Sequence, residues 1–129
     1  MKITKLALSV LGLLLAAWVL SACSGSEPSN FPTGRFMVPG NDFMGFQFNE
    51  DGTWYAINYG QHDPSGTYSV KGDLFIEESN NHNCGESPMS YRYTFDGTNL
   101  KFDLTDESKN DICEDRRNAY DGTTFVLTE

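Results

Sequence analysis

Apolar and polar residues alternate most clearly between Tyr91 and Leu104. Tyr91, Tyr93 and Phe95 interleave with Arg92 and Thr94; beyond Asp96-Gly97, Leu100, Phe102 and Leu104 interleave with Lys101 and Asp103. A period of two on both sides of an Asp-Gly step predicts a β-hairpin with one apolar and one charged face. Such a pair is antiparallel and half-buried. Similar patterns predict a short first strand just after Gly34 and further strands over residues 43–48, 54–59, 66–70, 74–78 and 123–128. In the second of these, Met44, Phe46 and Phe48 share a face. Residues 54–59 (WYAINY) are apolar or aromatic on both faces, so that strand is covered on each side or carries an aromatic exterior. Residues 105–119 are irregular and acidic, with one helical turn expected near 112–117.

No stretch has helical spacing of useful length, and turn formers separate the strands at short intervals, so the fold class is all-β. Asp-Gly-Thr occurs at Asp51, Asp96 and Asp121. This is turn chemistry, with Gly free to take a positive φ and Asp bonding the local backbone. About eight short strands with short links avoid exposed edges by closing into a small antiparallel up-and-down barrel. Its inward face is expected to carry Phe46, Phe48, Trp54, Tyr68, Leu74, Ile76, Tyr91, Tyr93, Phe102 and Phe125. A barrel of that size is either filled by its own side chains or holds one small ligand.

The N-terminus changes the picture. Lys2 and Lys5 precede an apolar run from Leu6 to Leu20, the pattern of an export signal. Leu20-Ser21-Ala22-Cys23 resembles the lipobox of bacterial lipoproteins. That resemblance implies a signal peptide over 1–22, a lipid on Cys23 and a cell-envelope location. Ser24 implies the outer membrane in a two-membrane host. Residues 23–30 then form the lipidated Cys and its tether, and 31–129 one small domain. The chain carries −9, and the +2 of Lys2 and Lys5 leaves with the signal, so 23–129 carries −11. Such a surface disfavours nucleic acid and permits a basic protein partner. Of the three cysteines, Cys84 and Cys113 remain, and an oxidising compartment predicts a disulfide between them.

Gly34-Arg35-Phe36, the hairpin meander and a late arginine resemble the calycin group, the lipocalin-like barrels. The run from Gly66 to Gly122 also resembles small lipocalin-like bacterial lipoproteins. The resemblance implies that Arg116 or Arg117 packs over Phe36 and closes one barrel end. Phe36 stands where lipocalins have Trp. With the aromatic alternation, it implies a small apolar or aromatic ligand held by Trp54, Tyr68, Tyr91, Tyr93 and Phe102.

Other chemistry has little footing. Cys84, Cys113, His62 and His82 match no zinc spacing. Asp103, Asp106, Glu107, Asp111, Glu114 and Asp115 crowd one loop without the spacing of an EF-hand. There is no nucleophile elbow, HExxH or phosphate-binding glycine loop, so neither catalysis nor a cofactor or metal is expected. Two other functions stay open: a protein-binding module such as an inhibitor of a basic, lysozyme-type cell-wall hydrolase, and a structural envelope lipoprotein. For the former, Ser65-Gly66-Thr67-Tyr68 is loosely similar to an inhibitory loop.

Overall fold

Strand alternation and turn chemistry together produce a closed meander. The computed structural model describes residues 30–80, Cys84 and 87–129. Cys23, the signal, most of the tether and His82 lie outside the described residues. The strands are β1 (Gly34–Met37), β2 (Met44–Phe48), β3 (Thr53–Asn58) and β4 (Ser65–Lys71), then β5 (Leu74–Ser79), β6 (Met89–Phe95), β7 (Asn99–Leu104) and β8 (Thr124–Leu127). Each pairs antiparallel with the next, and β8 returns to β1 through Phe36↔Leu127 and Met37↔Val126. Every strand thus has a neighbour on both sides. Among the described residues no strand edge is left to template aggregation, and the eight strands close on themselves.

One end of the barrel is made by tight turns. At 49–52, Thr53 donates its backbone N–H and its hydroxyl to Asp51 Oδ1 (3.0 and 2.6 Å), with Gly52 at φ +80°. At 96–98, the N–H groups of Thr98 and Asn99 converge on Asp96 Oδ1 (2.9 and 2.7 Å). The third Asp-Gly-Thr has a different place. Asp121 ends helix α1 (Glu114–Tyr120), and its N–H bonds the Arg117 carbonyl. Gly122 follows at φ +62°, the left-handed residue with which helices commonly stop. A 3₁₀ turn over Ser108–Asn110 and α1 together span the long β7–β8 link, which covers the other end.

The inward face departs from expectation on one strand. The β4–β5 turn holds two residues, Gly72 and Asp73, and sets Val70 opposite Phe75 and Tyr68 opposite Glu77. Directly paired residues share a face, so with Tyr68 and Val70 inside, Phe75 and Glu77 are inside as well. Leu74 and Ile76, expected inward, are only half-buried and lie on the outer face. Phe75 and Glu77 are fully buried. A one-residue change of parity exchanges every side chain between the faces, and here it puts a carboxylate in the interior.

Two aromatic plugs fill the barrel. Phe31 enters from the turn end and packs on Phe48, Phe75 and Tyr93 at 4.9–5.1 Å between ring centres, with Tyr68 at 5.3 Å. Tyr120 enters from the helix end, stacked on Tyr91 at 3.9 Å and edge-on to Phe102 at 5.0 Å. The interior between them is packed aromatic core.

Candidate functional site

The five residues expected to hold a ligand separate into distinct environments. Tyr68 and Tyr93 lie at the turn end around Phe31, where backbone carbonyls accept their hydroxyls: Asn49 at 2.7 Å and Gly72 at 3.2 Å. Tyr91 and Phe102 are fully buried in the centre. Of the five, Trp54 lines a cleft at the other end. Ser65-Gly66-Thr67-Tyr68 lies within β4, with the Tyr68 ring in the core.

The cleft, of about 580 Å³, lies at the helix end, between α1 and the β2–β3 wall. The links after β1 and β3 contribute Val38, Asp63 and Pro64; Met44, Phe46, Trp54, Ala56 and Ile57 form one side. Asp115, Arg116, Ala119 and Tyr120 from α1, with Phe125 of β8, form the other. Trp54 is held there because its cross-strand partner is Gly66, and its indole N–H reaches the Thr67 carbonyl at 3.1 Å. At Gly66 the backbones of β4 and β5 run so close that a Cβ would strike the Glu78 carbonyl oxygen.

Below the cleft lies a buried charge cluster. Arg116 donates from Nε and Nη2 to the two Asp111 oxygens at 2.6 and 2.9 Å, a bidentate grip. Its reach to Glu77 Oε1 is longer, 3.4 Å, as are its bonds to the Ser87 and Cys84 carbonyls at 3.3 and 3.4 Å. Burial raises the Asp111 carboxyl, but the Arg116 guanidinium and the Cys113 N–H outweigh it and hold that group below the ordinary carboxylate range. For Glu77 the balance reverses: burial wins over Arg116 and pushes it up to about 7. Glu77 Oε2 and the hydroxyls of Tyr91 and Tyr120 find no hydrogen-bond partner among the described residues. Burial pushes both phenols above their usual value, with Glu77 adding to the effect.

The resemblance to lipocalins paired a late arginine with Phe36. Arg116, on α1, takes Asp111 and Glu77 as its partners, whereas Phe36 packs on Phe48 and Phe95 at 6.0 Å each. Arg117 donates to the Asp111 carbonyl at 3.0 Å. Cys84 and Cys113 form the disulfide, which ties the β5–β6 link to the residue that precedes α1. Hydrophobic alternation does not mark Glu77 or Tyr120 as interior residues. The two-residue Gly72-Asp73 turn carried the signal for Glu77, since it fixes that side chain's face once Tyr68 is placed inward. Nothing comparable marked Tyr120.

Comparison of the chain with protein-family models, with curated proteins and with solved structures finds no match. The geometry carries the reading alone.

Proposed function

We propose that this chain is a lipid-anchored cell-envelope protein whose lipocalin-like barrel binds one small apolar or aromatic molecule in the cleft beside α1. The observation that carries the reading is the cleft itself. Its volume falls within the range of small-molecule sites, and an apolar lining with a few polar groups is their usual make-up. Its position fits the anchor. The chain joins the barrel at the turn end, through Phe31, and the cleft opens at the opposite end. A lipid on Cys23 then holds the barrel by one end and leaves the cleft directed away from the membrane.

The test is native mass spectrometry of oxidised residues 24–129 after incubation with a small-molecule extract of the host. The expected result is a retained mass that is lost in Ala119→Phe, which fills the cleft from α1. An apo mass throughout, from folded protein, contradicts the reading.

One observation favours a second reading, a basic protein partner. Phe43 and Tyr59 stack at 5.9 Å while 60% and 71% exposed, each next in sequence to a residue of the cleft wall. With a net −11 on residues 23–129, a basic hydrolase would be drawn by steering that salt abolishes. A lysozyme pull-down that stays empty at low salt removes this reading.

A further inference from the structure

Resting on the small-molecule reading above, we infer that the cleft's ligand is a cationic amine with an apolar or aromatic body, its ammonium group received by Glu77. Three observations lead there. Glu77 belongs to the cleft floor and is fully buried, yet its Oε2 has no partner among the described residues. The Tyr120 hydroxyl, also at the floor, is likewise unpartnered, and so is Tyr91 on which it stacks. Glu77 Oε2 is an acceptor without a donor, and the two hydroxyls, each able to donate and to accept, have no partner among the described residues.

Charge then selects the donor. Asp111 takes Arg116 by two short bonds, leaving Glu77 a single contact at 3.4 Å. The residues of the cleft wall include Asp63, Asp115 and Glu77 against one Arg116, so the site is negative overall. A neutral donor satisfies hydrogen bonding there but leaves the carboxylate uncompensated. An ammonium group does both, and charge-assisted bonds are roughly twice as strong as neutral ones. Apolar walls of Val38, Met44, Trp54, Ala56 and Phe125 suit the rest of the molecule. Glu77 is sealed from solvent, so the incoming group takes the place of the long Arg116 contact, and Arg116 stays on Asp111.

The groups that face Glu77 are Arg116 and Tyr120 from α1, Asp111 before it, Tyr91 from β6 and the adjoining Glu78 on β5. Of these carboxylates, Glu77 titrates near neutral pH, whereas a carboxylate of ordinary pKa keeps its charge at pH 5.5.

Trp54 is the sole tryptophan of residues 24–129 and lines the cleft, so its fluorescence reports occupancy. Residues 24–129 would be titrated with 2-phenylethylamine, 2-phenylethanol and 3-phenylpropanoate at pH 8 and pH 5.5, in the native chain and in Glu77→Gln. At pH 8 the amine is expected to bind about tenfold or more tighter than the alcohol, with the carboxylate weakest. That preference should shrink to about threefold or less at pH 5.5 and in Glu77→Gln. Equal binding of amine and alcohol by the native chain at pH 8 overturns the amine assignment and leaves the small-molecule reading standing. Failure of all three probes to bind overturns both. The pH comparison in the native chain decides the matter even if Glu77→Gln fails to fold.

Discussion

Among single residues, Glu77 has the widest consequences. It titrates near 7 in the folded protein and near 4.5 when unperturbed, so the folded state binds its proton more tightly. The stability this group contributes is therefore complete below pH 4.5 and is lost as pH rises through 7. Asp111 has the opposite sign. Its lowered value contributes stability above its ordinary 3.8, lost in acid. Glu77→Gln should accordingly raise stability at pH 8 by about 3 kcal/mol, and by less than about 1 kcal/mol at pH 5. Urea unfolding at the two pH values checks this, and equal effects at both would contradict it. Arg116→Ala acts on the same cluster with the reverse result: it strands two buried carboxylates and should cost about 3–5 kcal/mol at pH 7. The presence of an acid inside the barrel was implicit in the chain all along. A Gly72-Asp73 turn fixes parity across β4 and β5, so Tyr68 inside means Glu77 inside; hydrophobicity alone points the other way, to Leu74 and Ile76.

Among the elements, the strands were legible because period-two alternation and Asp-Gly turns are local signals. The β6–β7 hairpin follows them through Tyr91↔Leu104 to Phe95↔Leu100. The plugs were not legible. Phe31 lies in a stretch with no periodicity, and Tyr120 in a short helix whose burial depends on distant strands. Phe31→Ala should therefore be among the costlier core truncations, at about 3–5 kcal/mol, since it empties a site ringed by four aromatic side chains. Thermal unfolding of residues 24–129 measures it, and a loss below about 1 kcal/mol would mean Phe31 is not a plug. The disulfide bears on the helix more than on the sheet. It closes 29 residues of chain, worth about 3 kcal/mol, and one of its cysteines caps α1. Replacing both by Ser should lower stability by about that amount and weaken binding in the cleft, whose far wall is α1.

For the molecule as a whole, the barrel has two unlike ends. The turn end is sealed by Phe31 and its hairpins, and the chain arrives there; the helix end carries the cleft, the charge cluster and the exposed Phe43 and Tyr59. A closed eight-stranded barrel followed from the strand count and the short links. That its centre is packed, and that its open space lies to one side of α1, depends on where a helix docks, which no local pattern reports. Trp54 was the one expected ligand contact to border that space, since Gly66 opposite it leaves room for the indole. Methyl NMR on residues 24–129 during titration with 2-phenylethylamine at pH 8 shows whether this cleft is the binding site. Shifts are expected only at the cleft methyls of Val38, Ala56 and Ala119, while Val70, Leu104 and Leu127 stay in place. An unchanged spectrum up to the probe's solubility limit, or shifts centred on Val70, Leu104 and Leu127, would contradict binding there.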